Sequence, residues 1–112
     1  NEKEKFLEVV FKDEADTERK YRYGKVTTEF VKRVLEFIGA SDSIFCVQLL
    51  QEYLCLDENF LRKIEERSFR INFPGVVNDE NWTAVLPINL EKLCTLKINI
   101  VIKEMNTINE RF

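Results

Sequence analysis

The chain is 112 residues long, with 45% hydrophobic residues, 33% charged residues and a formal net charge of −3 at pH 7. This suits one folded domain, excludes a free-standing (β/α)8 barrel of roughly 250 residues, and gives no general attraction to nucleic acid or anionic lipid. It contains no histidine, so Ser-His and Cys-His catalysis and His-based zinc sites are excluded within it. The three cysteines, Cys46, Cys55 and Cys94, are odd in number and widely spaced. They argue for a reducing cytoplasm and against a disulfide framework, and read as plain core residues. No apolar run is long enough to cross a bilayer and no secretory signal is present, so no membrane partner is expected. The chain opens on NEKEKF without an initiating methionine, which suits a piece of something longer.

The first predicted element is a short amphipathic helix. Phe6, Leu7, Val10 and Phe11 recur at helical spacing within a charge-dense stretch, residues 1–24. Lys12 to Lys20 reads as a helix end or a solvated loop, because charges of both signs alternate there. Gly24 breaks the pattern. Thr27 or Thr28 then caps the clearest helix of the chain. Its apolar stripe is Phe30, Val31, Val34, Leu35 and Ile38, and Gly39 follows as a C′ residue.

Ile44 to Val47 is a continuous apolar run with two β-branched residues. It predicts a short strand buried on both faces, as in a parallel sheet. No second run of that quality exists in the chain. A lone strand must pair its backbone groups somewhere, so its neighbours are expected in another part of a longer polypeptide. Leu49, Leu50, Tyr53, Leu54 and Leu56 then predict one or two helical turns. Asp57 caps a further short helix with Phe60, Leu61 and Ile64 inward.

Residues 69–82, FRINFPGVVNDENW, pack a Pro-Gly turn, a cluster of Asn and acidic residues and the single tryptophan into one loop. No helix or strand of ordinary pattern needs that mixture. Beyond it Asn89 is a candidate N-cap for a final helix, with Ile88 and Leu93 as a hydrophobic staple. Leu90, Cys94, Ile98, Val101, Ile102 and Met105 form its inward face. The tail NTINERF is expected to fray.

Four stretches carry a resemblance: CVQLLQEYLCL, RINFPG, NW and LPINLEKL. In order and approximate spacing they resemble the end of the 4-α-glucanotransferases, the amylomaltase or disproportionating enzymes among the glycoside hydrolases. The resemblance runs from near Thr27 to near Leu93, residues 27–93. Arg-x-Asn-x-Pro-Gly followed by Asn-Trp is its most specific part. The chain departs from the family pattern at Gln51-Glu52, where Gln-Asp is usual. It departs again at Leu49 in place of Pro, at Val76 in place of Thr, and at Val85 just before Leu86.

The resemblance implies an α/β fold. The chain would be the C-terminal fragment of a (β/α)8 TIM barrel, one segment over residues 1–112, mostly helical, with Ile44–Val47 as a short core strand. It implies transfer of α-1,4-glucan units between malto-oligosaccharides by a retaining, cofactor-free mechanism. Retaining enzymes use two carboxyl groups about 5–5.5 Å apart. In the family those carboxylates precede the matched region, so no catalytic residue and no metal ligand is assigned here. The implied role is a wall of the glucan site built by Gln48, Gln51, Arg70, Asn72, Pro74, Gly75 and Trp82. The implied partners are malto-oligosaccharides and the rest of the same enzyme's barrel.

Plainer roles stand beside these. Arg70 pairs with a carboxylate such as Glu52 or Asp79, Asn72 organises a turn, and Trp82 is a buried anchor for the final helix. Tyr21, Tyr23 and Tyr53 are packing residues. For the whole chain, the alternative is a small, mostly helical interaction module without enzymatic activity.

Overall fold

The computed structural model describes residues 2–12, 20–22, 24–66 and 71–111, excluding the side chains of residues 64–66. Among them the regular elements are all helical. They are α1 (Glu2–Val10), α2 (Thr28–Gly39), α3 (Leu50–Leu54), α4 (Glu58–Glu66), α5 (Leu90–Leu93) and α6 (Ile98–Ile108).

The best-packed region joins α1 to α2. Leu7, Val10, Phe11 and Tyr21 are buried together, with Phe30 and Val34 packed against them. The rings of Phe11, Tyr21 and Phe30 meet in one stacked and two tilted pairs with centroids 4.9 to 6.0 Å apart, inside the favourable range for aromatic pairs. Tyr21 keeps its hydroxyl satisfied by donating to Glu29 Oε2 at 3.3 Å. It is a packing residue, as expected. Tyr23 and most of the Lys12–Lys20 stretch lie outside the described residues.

Helix α2 begins as its sequence predicts. Thr27 is extended and its Oγ1 accepts the Phe30 N–H at 3.2 Å. Its end differs from the expectation. Gly39 is the last helical residue rather than a left-handed C′, and Ala40 caps the helix in a right-handed conformation. The glycine serves proximity instead. A Cβ there would sit 2.8 Å from the Asn109 side-chain nitrogen, so any larger residue would push that carboxamide aside.

The fold-class expectation is overturned. Among the described residues there is no strand. Residues 44–47 are irregular, and Ile44, Phe45 and Val47 are 89%, 85% and 87% exposed. The apolar run is real, but a strand needs a ladder partner, and none of the described segments offers one. An α/β barrel fragment with a core strand does not describe this chain.

Helix α3 packs against α6, which also packs against α2. Glu52 is the third residue of α3, and its carboxylate accepts the Leu49 N–H at 3.0 Å. Asp57 caps α4 as expected, with Oδ1 accepting the Asn59 N–H at 2.9 Å. Leu61 faces inward and is buried, whereas the Ile64 side chain lies outside the described ones. The single final helix expected from Asn89 is two helices. The Thr95 hydroxyl donates to the Lys92 carbonyl at 2.8 Å and the Asn99 carboxamide to the Leu93 carbonyl at 2.9 Å. Side chains that take helix carbonyls in this way compete with continuation of the helix. Cys94, at the break, is exposed rather than inward.

The tail does not fray up to residue 111. Arg111 donates from Nε to Gly39 O at 2.6 Å, from one terminal nitrogen to Ser41 O at 2.6 Å and from the other to Ser43 O at 3.1 Å. The last turn of α2 has no basic residue of its own. Arg111 supplies the cation that a helix C-terminus favours, from some seventy residues away.

The chain stays open despite these ties. Its accessible surface is 8928 Å², against roughly 6,500 Å² for a compact protein of 13.3 kDa. Its radius of gyration is 15.5 Å, against about 13 Å for a compact domain of this length.

Candidate functional site

The 71–82 loop is built around its own asparagines. Phe73 to Val76 form a turn closed by the Val76 N–H on the Phe73 carbonyl at 3.2 Å. Pro74 fixes φ at the first corner. Gly75 takes φ of +79° at the second, the signature of a type II turn. Asn81 then clasps the turn from the far side. Its Oδ1 accepts the Phe73 N–H at 2.9 Å and its Nδ2 donates to the Val76 carbonyl at 2.8 Å. Asn78 prepares this by accepting the N–H groups of Glu80 and Asn81 on one oxygen, at 3.1 and 2.9 Å.

Trp82 follows from that geometry. Its backbone N–H donates to the Ile71 carbonyl at 2.7 Å, which joins the two ends of the loop. Its φ is +66°, an uncommon conformation for a bulky residue. Its side chain is 75% exposed, so it is no buried anchor of the final helix. A strained, exposed aromatic on a cross-braced loop costs folding energy that burial does not return, and such positions cluster at functional sites.

The other sequence-derived residues fall in separate places. Pro74 and Gly75 are exposed in the turn, and Asn72 is half-buried beside it. Arg70 lies outside the described residues. Gln48 is half-buried and donates to Cys46 Sγ at 3.6 Å. Gln51 sits in α3, where its carbonyl accepts from the Cys55 thiol at 3.1 Å. Gln48 lines a hollow between α2, α3 and α6 that contains no residue of the 71–82 loop. The glutamines and the loop are therefore not shown forming one site.

Two titrating groups near α3 are perturbed. Burial, then the nearby Cys46 and Glu52, push the Tyr53 phenol up. Burial, then Glu52, push the Cys55 thiol up. Both groups are held in their protonated, donor forms.

Asn81, named only within the Asn-Trp pair, and Asn106, Asn109 and Arg111 were assigned no role of their own from the sequence. The Asn78-x-x-Asn81 spacing held a local signal for the first, because asparagine side chains bond the backbone a few residues on. The other three depend on contacts between distant segments and leave no local trace.

Over 72 residues the chain is 35% identical to a 4-alpha-glucanotransferase of Chlamydia pneumoniae, a match covering 64% of this chain and 14% of the relative. The chain thus spans about a seventh of that protein's length. No protein-family model matches the chain. No solved structure matches it. Among the described residues, no helix is long and apolar enough to cross a membrane.

Proposed function

We propose that this chain is a segment of a 4-α-glucanotransferase, moving α-1,4-glucan units between malto-oligosaccharides with retention of configuration. The observation that carries the reading is the 35% identity over 72 residues to an enzyme of that name. The Arg-x-Asn-x-Pro-Gly and Asn-Trp residues support it. The excess surface also suits a segment that packs on more protein than it contains. In this reading the carboxylate nucleophile and the acid/base come from elsewhere in the enzyme.

Within the enzyme, Gln48, Gln51, Arg70, Asn72, Pro74, Gly75 and Trp82 contribute to the wall of the glucan site. Trp82 offers an indole face to a sugar ring. Arg70 and Asn72 offer donors to carboxylates and hydroxyls. The free cysteines suit a cytoplasmic setting. The competing reading is a helical interaction module, favoured by the wholly helical regular structure of the described residues.

The test is expression of the longest reading frame that contains this chain, incubated with maltotriose. The expected products are glucose and longer malto-oligosaccharides, and the 112-residue chain alone yields neither. A reading frame that carries several hundred residues more and leaves maltotriose intact overturns the enzyme reading. One that encodes nothing further favours the module.

A further inference from the structure

The hollow between α2, α3 and α6 has a volume of about 210 Å³. Its polar lining is Gln48, Tyr53, Asn106, Asn109 and Arg111, set above Leu35 and Met105. Three carboxamides and a phenol converge on one small space. Asn106, Asn109 and Tyr53 are half-buried. Among the described residues their side chains make no hydrogen bond, and none belongs to the residues holding further interactions. Among the described residues no fully buried polar side-chain atom lacks a partner, so these groups remain reachable from the hollow. Half-buried carboxamides that bond none of the described residues hold donors and acceptors ready for something else.

The ligand class follows from charge, size and hydrogen-bonding pattern. Among the described residues the hollow's one charged group, Arg111, already spends three of its donors on the Gly39, Ser41 and Ser43 carbonyls. That leaves a lining neutral apart from this guanidinium, rich in paired donors and acceptors, over an apolar floor. A cation is repelled by Arg111, an anion finds only two of its five N–H groups unspent, and a purely apolar ligand would strand the carboxamides. The volume lies below the roughly 300–1,000 Å³ of clefts for drug-sized molecules. It would hold about seven waters, which the hydroxyls of one small ring can replace bond for bond.

We infer that this hollow binds a single neutral hexose unit, held by the carboxamides of Gln48, Asn106 and Asn109 and resting on Met105. It is a site distinct from the 71–82 loop. Gly39 belongs to its construction, because a Cβ there would displace the Asn109 carboxamide. The choice of a sugar among neutral polyols rests on the proposed glucan function.

The test is an NMR titration of the 112-residue chain with glucose and with maltose, following the side-chain amide signals. Shifts are expected at Gln48, Asn106 and Asn109, with roughly millimolar affinity that does not grow with sugar length. Asn109→Ala and Gly39→Ala each weaken binding at least tenfold, with far-UV circular dichroism confirming the fold. Val85→Ser, at an exposed position outside the hollow, leaves it unchanged. Three outcomes overturn the inference: no shift in these amides, shifts confined to the loop and lost in Trp82→Ala, or a stronger response to inorganic phosphate than to glucose. The maltotriose assay reads the enzyme proposal separately, so a polypeptide that disproportionates maltotriose while its hollow stays silent sinks only the hollow.

Discussion

Asn81 is the residue on which the loop turns. It satisfies one donor and one acceptor of the Pro-Gly turn at once, and each such bond contributes about 1 kcal/mol net. Asn81→Ala should raise amide exchange at Phe73 roughly fivefold to tenfold. It should also change the fluorescence of Trp82, the single tryptophan, while the helical circular dichroism stays as it was. Unchanged exchange at Phe73 would mean that the clasp does not hold the loop in solution. The perturbed Tyr53 and Cys55 make a second expectation at this scale. Both pKa values are raised in the folded chain, so the unfolded chain loses these protons first as pH rises. The unfolded state then binds fewer protons, and stability falls with pH once the unfolded groups begin to ionise. The unfolding midpoint should decline from about pH 8.5 upward. Tyr53→Phe with Cys55→Ala should flatten that decline.

Among the elements, the segment at 44–47 and the tail at 106–111 exchanged the places their sequences suggested. The apolar run was expected to be buried and lies in solvent. Replacing Ile44, Phe45 and Val47 together with serine should therefore change stability by no more than about 0.5 kcal/mol, as for exposed sites. A buried strand would lose several kcal/mol from the same change, and a urea melt separates the two cases. The tail was expected to fray and instead clasps the end of α2. Arg111→Met should cost about 1.5–3 kcal/mol by the scale of hydrogen bonds to charged groups, towards the low end because Arg111 is half-exposed. Arg111→Lys should recover less than half of it. The charge returns, but a lysine cannot reach three carbonyls with a fixed fork.

Taken as a molecule, the chain closes its surface poorly. Its folded area exceeds the compact expectation by roughly 2,400 Å², so unfolding exposes about a fifth less new surface than it would for a compact protein of this mass. The urea m-value scales with that area and should lie about a fifth below the value usual for a 112-residue domain. A value at or above the usual one would mean that the chain is compact in solution. The low closure explains why Ile44, Phe45, Val47, Val77 and Val85 stay exposed. Too few elements are at hand to cover them.

What was legible in the sequence was local. Thr27 and Asp57 cap helices because a hydroxyl or carboxylate two or three residues from an N–H finds it wherever the chain folds. Leu7, Val10, Leu35, Leu54 and Met105 turn inward because helical periodicity puts them on one face. The Pro-Gly turn follows from a fixed φ beside a residue free to adopt a positive one. The tertiary structure alone decided the rest. Ile44–Val47 is no strand because a strand is a relation between two segments, and its own residues can supply only one of them. Arg111, Asn106 and Asn109 acquired their places when the end of α6 met the end of α2. That meeting is a long-range packing event, and no stretch of sequence around those residues encodes it.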